Sequence, residues 1–455
     1  MFFKILITLA TLTLSTASLA TTNEFNTPTP KQNQIVNIQY WQTANGAKVY
    51  FVDEPELPML DIRVVFAAGS VRDGNQFGLA QLTNSMLDEG STKLNADQIA
   101  AAFDDVGAQF LSDTNKDQAM VGLRTLTDPK YLDPAIKTFS TVISAPSFPE
   151  KAFKRVKQQT LSAIEQQKQS PGTVVSNAFY KALYPNQGYG HPELGTLNTI
   201  ALLTVNDLKK FYQQYYVANN AIIAMIGNIN RNTASKIATQ ISLGLVAGKE
   251  APKLSPIKTT TTNETIHIIF PSQQTNIYLG QLGIEKNSPD FFPLLVGNYI
   301  LGGGGLVSQL FNEVREQRGL AYDVQSAFVT LQDKGPFIIA LQTRNDKAAH
   351  TIAIVNQLLA NFMTNGPTEQ QLTAAKKNII GSFIVKLSSN AAIINNVVNI
   401  AFYKFPLSYL DTYRQKVDAV TIEQIKQAFN KTIHLNKMLT VTVGKSENAS
   451  TTTPS

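Results

Sequence analysis

Side chains able to activate a nucleophile or hold a metal are sparse in this chain. There is no cysteine, which removes thiol catalysis, disulfides, thiolate metal sites and a lipid anchor on Cys. The four histidines, His191, His267, His350 and His434, are too scattered to supply a zinc-binding pair at i, i+4. Asp88-Glu89 and Asp104-Asp105 are paired carboxylates, but solvated helix faces explain them better than acid–base work. The glycine run 302–305 is followed by Leu306-Val307-Ser308 rather than Gly-Lys-Ser/Thr, so it is no phosphate loop. Tight turning and close backbone approach are the expectation there.

The elements that must position any site come from a long, apolar chain. With 455 residues, 43% of them apolar and 9% aromatic, more than one sizeable core is expected and disorder is excluded. Lys and Arg exceed Asp and Glu by 39 to 33, a mild excess of +6 with no dense basic run, so nucleic acid is not a partner class. Residues 1–20 read as a signal peptide. Lys4 gives the positive start, 5–14 the apolar stretch and Ser18-Leu19-Ala20 the small-x-small cleavage pattern. That predicts export, most simply to a bacterial periplasm. No apolar run reaches the ~18 residues of a transmembrane helix. Residues 21–34, rich in Thr, Asn and Pro, read as a flexible lead-in, and 446–455 as a disordered tail.

The chain repeats itself. Leu203-Thr204-Val205-Asn206-Asp207-Leu208 opens a helical pattern that runs on to the apolar stretch 221–226 and Gly227. Val420-Thr421-Ile422-Glu423-Gln424-Ile425 opens a similar one that runs on to 438–443 and Gly444. Thr204 with Thr421, and Gly227 with Gly444, share one offset of 217 residues. Pro149-Glu150 and Pro367-Thr368 repeat with an offset one residue longer. A duplication follows, with an N-terminal domain at 35–245, a linker at 246–256 and a C-terminal domain at 257–445. Strands are expected at 61–67, 275–282 and 337–343, and helices at 78–87, 97–106, 152–169, 291–301, 306–317 and 348–364. The class is α+β: two tandem homologous domains, each a mainly antiparallel sheet packed with helices.

Two stretches then resemble one family. Phe77-Gly78-Leu79-Ala80-Gln81-Leu82-Thr83-Asn84-Ser85-Met86-Leu87, after Ala68-Gly69-Ser70-Val71-Arg72-Asp73, is similar to the start of the insulinase/pitrilysin (inverzincin) metallopeptidases. So is the segment from Leu301 through the glycine run to Phe311, Arg315 and Arg318-Gly319-Leu320-Ala321-Tyr322. The resemblance spans residues 35–445 and is nearest the short two-domain branch that includes the mitochondrial processing peptidase.

The resemblance implies a zinc site that this sequence does not carry. Active members have His-x-x-Glu-His in the first helix, two His for zinc and a Glu for the water; the same positions here are Gln81, Asn84 and Ser85. The third ligand, a Glu in a later helix, falls where this chain reads Leu161-Ser162-Ala163-Ile164, with Glu165 a turn away. No metal is therefore expected in this chain, and Gln81, Asn84 and Ser85 should form a polar helix face toward cavity or solvent. The family's Arg and Tyr, seven residues apart and reaching the active cavity from the second half, match Arg315 and Tyr322. A guanidinium and a phenol aimed at a developing oxyanion would stabilise it. Arg318 lacks that spacing, and His191, before Gly195-Thr196, reads as structural.

The implied role is the non-catalytic subunit of a periplasmic two-chain zinc metallopeptidase. It would be inactive alone, and paired with a zinc-bearing homologous subunit around unfolded peptide substrates. The alternative is a peptide-binding or scaffold pseudo-peptidase with no role in proteolysis.

Overall fold

The computed structural model describes residues 34–258 and 263–445. The segment expected to be a signal peptide (1–20), nearly all of the expected lead-in and the tail at 446–455 lie outside the described residues. From Ile35 onward the described chain is one compact unit built on two sheets.

The first sheet contains β1 (Gln39–Gln42), β2 (Lys48–Asp53), β3 (Met59–Phe66), β4 (Gln109–Thr114), β5 (Ala119–Leu126) and β6 (Ala221–Gly227), in the spatial order β1-β2-β6-β3-β5-β4. The second contains β7 (Thr265–Ile269), β8 (Gln274–Leu282), β9 (Ala321–Phe328), β10 (Pro336–Arg344) and β11 (Leu439–Gly444), in the order β7-β11-β8-β10-β9. β1 aside, the two orders are the same. Each sheet has one parallel pair, β2–β6 and β7–β11, among antiparallel neighbours. The repeat read from Thr204–Gly227 and Thr421–Gly444 is the helix-to-central-strand unit of each half. Both threonines cap their helices with a reciprocal box, to Asp207 and Gln424. Both strands are central because their apolar residues are buried on both faces. Gly227 ends its strand at φ +153°, and a Cβ there would lie 2.1 Å from the Met59 carbonyl.

Helix ends differ from the sequence reading by a few residues, and one tripeptide serves two helices. Ser170-Pro171-Gly172 closes the helix Glu150–Gln167, but it also starts the next: Ser170 caps Pro171–Leu183 with proline in its first turn. That helix leaves its own half. It packs on β8 and β11 of the second sheet, with Val175 and Phe179 buried against Leu439, Val441 and Val443. In return Asn390–Phe402 crosses to the first sheet and packs on β3 and β6, with Ile394 and Val397 buried among Val65, Ile222 and Ala224. Each sheet thus has its own half's helices on one face and a helix of the other half on the opposite face.

The segment 246–256 runs along the first half. Val246 and Ala247 carbonyls accept from the Ala218 and Asn219 backbone, and Glu250 pairs with Lys48 at 2.7 Å. No helix among the described residues is long and apolar enough to cross a membrane.

Candidate functional site

The helix that carries the degenerate motif is short, Leu79–Asn84, and begins at Gly78 with φ +92°. Its buried N-terminal amides, which have no partner within the helix, are held by Asp73, whose two carboxylate oxygens accept from Gly78 N (2.7 Å) and Ala80 N (2.8 Å). Burial pushes the Asp73 carboxyl up to about 7, against those two hydrogen bonds and the pull of Lys116.

The three motif side chains do not share one face. Gln81 and Ser85, one turn apart and half-buried, bond to each other, the Gln81 amide donating to Ser85 Oγ at 3.2 Å. Asn84 is 1% exposed and turned inward. Its Nδ2 donates to the carbonyls of Asp113 (3.0 Å) and Met120 (3.2 Å), which face each other across β4 and β5. Its Oδ1 accepts from Tyr216 OH at 3.0 Å. The expected polar face is therefore limited to Gln81 and Ser85. Asn84 instead pins the outer hairpin, because a buried amide needs all its partners inside the protein.

These residues do not fit a zinc ion. Gln81 and Ser85 are an amide and a hydroxyl bonded to each other, Asn84 is turned inward, and Glu165 is 58% exposed and paired with Lys168. Among the described residues no three His, Cys, Asp or Glu side chains converge. Gln81, Asn84 and Ser85 offer neither a zinc ligand pair nor a base for water.

Beside Gln81 lies a polar pocket of about 420 Å³ lined by Lys116, Tyr180, His191 and Glu193 among others. Lys116 Nζ donates to the Tyr189 and His191 carbonyls at 3.3 and 3.4 Å, sits 4.5 Å from the Tyr180 ring centroid, and is 3.9 Å from Glu193. Burial lowers the Lys116 pKa and raises that of Glu193, each partly offset by the other's charge. His191 stacks on Phe77 at 4.3 Å and gives its Nδ1–H to the Pro192 carbonyl; buried Nε2 has no protein partner. Burial lowers its pKa, so the ring is neutral. The pocket can bind polar groups, and among the described residues it holds no nucleophilic thiol or cluster of metal-ligating side chains.

The structure brings Arg315 and Tyr322 together. Arg315 lies on the wide helix Phe311–Gln317, and its guanidinium carbon is 4.7 Å from the centroids of both Phe311 and Tyr322. Tyr322, on edge strand β9, is 76% exposed. Arg315 Nε lies 3.7 Å from the Glu316 carboxylate, and Arg318 pairs with Glu313 at 3.2 Å. The glycine run before this helix turns and packs tightly. A Cβ on Gly302 would lie 2.4 Å from Ser326 Oγ, and Gly305 has φ +61°.

One residue missed in the sequence ties the halves together. Asp117, in the turn between β4 and β5, accepts from Tyr189 OH (2.5 Å), Gln332 N (2.8 Å) and Tyr403 OH (3.0 Å). Its only local signal was the Asn115-Lys116-Asp117-Gln118 turn.

Comparison with known proteins places this geometry. Residues 48–197 match the insulinase family (peptidase family M16), and residues 202–379 match the peptidase M16 inactive domain. A peptidase M16 inactive domain from Pseudomonas fluorescens, solved by crystallography, is 41% identical, with TM-score 0.87 over 90% of this chain and 98% of that one. A Helicobacter pylori protein named non-peptidase homolog YmxG is 26% identical, covering 87% of this chain and 92% of its own length. An uncharacterized zinc protease YmxG from Bacillus subtilis is 25% identical over 85% of this chain and 94% of that protein.

Proposed function

The chain belongs to the insulinase (peptidase M16) family, and we propose that within it this chain is the non-catalytic subunit of a periplasmic two-chain peptidase. The observation that carries the reading is a contrast between two sites. Gln81 and Ser85 are bonded to each other where the family's histidines would be, whereas Arg315 and Tyr322 stand together with the phenol exposed. In this reading a homologous partner brings the zinc and the base. Arg315 and Tyr322 bind the substrate carbonyl and stabilise the charge that develops on its oxygen. The aromatic sandwich holds the guanidinium in place before substrate arrives, which lowers the cost of ordering it. Unfolded peptides are the substrate class, and residues 1–20 are the export signal.

A second reading, a scaffold that takes no part in proteolysis, is favoured by the printed names of two relatives, an inactive domain and a non-peptidase homolog.

Reconstitution with a homologous chain that carries His-x-x-Glu-His separates the two. The chain alone should hold no stoichiometric zinc by elemental analysis and cleave no peptide. Paired, Arg315→Ala and Tyr322→Phe should each lower kcat about a hundredfold, the effect of losing one oxyanion donor. Assembly should be unchanged, and Arg318→Ala should do much less. Turnover within about twofold of wild type for both variants would discard the transition-state role and leave the scaffold reading.

A further inference from the structure

We propose that the second half carries a binding pocket for a small aromatic carboxylate, set between the helix Phe291–Asn298 and the turn joining Asn390–Phe402 to Tyr409–Asp418. The cavity holds about 640 Å³, within the ~300–1,000 Å³ of small-molecule sites. Neither Gln81 nor Arg315 nor Tyr322 lines it.

Its walls are aromatic and stiff. Phe405 stacks on Tyr409 at 4.5 Å and 14°, Phe292 lies 6.4 Å from Tyr409, and three prolines complete the lining. Flat rings in fixed positions suit a flat apolar body, which gains offset or edge contacts beyond simple burial. Proline fixes the backbone around them, so the cavity is preformed.

Its charge has one sign. Lys286, Lys404 and Lys416 line it, and no Asp or Glu does. Lys416 Nζ is 5.5 Å from the Phe292 centroid and 5.6 Å from that of Tyr409; Lys286 Nζ is 5.5 Å from Tyr403. Among the described residues, the one carboxylate within ion-pair distance of these lysines is Glu250, 3.9 Å from Lys404 and 55% exposed. Burial lowers the Lys286 pKa, partly offset by the more distant Asp117 charge, so its ammonium is partly desolvated with no carboxylate in direct contact. Lys404 holds a left-handed backbone, φ +57°, unusual for a residue with a side chain. Aromatic walls select the body and the lysines select an anionic head. A cation meets three like charges, and a neutral analogue leaves the lysines as they were.

The test is calorimetric titration of the full chain with 2-naphthoate, alongside 2-naphthylmethanol and 2-naphthylmethylammonium. One saturable site per chain is expected for the carboxylate, with the alcohol about tenfold weaker and the ammonium not binding. Lys416→Ala, at an exposed position that leaves folding intact, and Lys286→Met should each weaken 2-naphthoate about fivefold, the scale of one ammonium contact at a partly wet site. Lys347→Ala, which is outside the pocket, should change nothing. The proposal is overturned if 2-naphthoate shows no saturable binding up to millimolar concentration, if the alcohol binds equally well, or if Lys416→Ala and Lys286→Met both leave affinity unchanged.

Discussion

The two halves share a strand order but differ at corresponding positions. Asp73 and Asp290, 217 residues apart, each precede the helix that faces the outer strands. Asp73 is buried and caps its helix, whereas Asp290 lies near the surface and pairs with Lys431 at 2.7 Å. Asn84 and Asn298 each tie that helix to the outermost strand, Asn84 to Asp113 and Asn298 to Ser326. The second half leaves a half-buried arginine beside an exposed tyrosine on that side, while in the first Gln81 bonds to Ser85 and Asn84 is turned inward. Scaffold and chemistry have diverged separately: the fold is kept by packing and capping, and a handful of side chains set what each half can do.

The exchanged helices give the comparison its most severe test. Phe179 and Ile394 are both fully buried, each on a helix that covers the other half's sheet. Phe179→Ala should cost about 3–5 kcal/mol and Ile394→Ala about 2–5 kcal/mol, the range for emptying a packed core site. Because either helix leaves a sheet face bare when it detaches, urea unfolding should remain one transition in both variants. Two separated transitions would show that the halves are independent and the exchange is only decorative.

The buried aspartate separates the halves by pH. The folded pKa of Asp73 is raised to about 7 from the ordinary 3.8 of an aspartate, chiefly by burial. Its protonated form is thus the one favoured on folding. The stabilisation is fully present below the unfolded value near 3.8 and is lost as pH rises through about 7. His191, Lys116 and Glu193 face the same region, and the His191 ring is held neutral by burial. Between pH 5 and pH 8 stability should fall by about 2–3 kcal/mol, and Asp73→Asn should flatten that slope. Urea midpoints across the window check it. A slope unchanged in Asp73→Asn would assign the pH dependence elsewhere.

Much of this architecture was legible in the sequence because its signals are local. A threonine three residues before a polar side chain, then an apolar strand ending in glycine, recurs at Thr204 and Thr421 whatever the rest of the chain does. The missing zinc ligands could likewise be read directly from Gln81, Asn84 and Ser85. What was not legible depends on contacts distant in sequence. Nothing near Pro171–Leu183 indicates that its apolar face belongs to the second sheet. The Asp117 carboxylate meets Gln332 and Tyr403 only after both hairpins and a crossing helix are in place. Asn84 shows the same limit within a single side chain. In a helical pattern a buried amide and a surface amide look alike, and only the positions of Asp113, Met120 and Tyr216 distinguish them.

The two asparagines offer the finest comparison. Asn84 is fully buried and serves three partners, two strand carbonyls and the Tyr216 hydroxyl. Asn298 is half-buried and serves one residue, exchanging two hydrogen bonds with Ser326. Truncating buried Asn84 leaves three polar groups without this partner, whereas truncating Asn298 leaves two, both on buried Ser326, beside a position that is itself half-open to solvent. Asn84→Ala should therefore cost about 2–3 kcal/mol and Asn298→Ala about 1 kcal/mol, following the asymmetry between losing a bond and stranding its partner. Tyr216→Phe removes one of the stranded groups, so adding it to Asn84→Ala should cost less than the two single losses together. Thermal or urea unfolding of the four variants decides it. If Asn298→Ala costs as much as Asn84→Ala, burial is not what distinguishes the halves here. If the Tyr216→Phe cycle is additive, the hydroxyl is not held by Asn84, and the inward-turned amide contributes through the strand carbonyls alone.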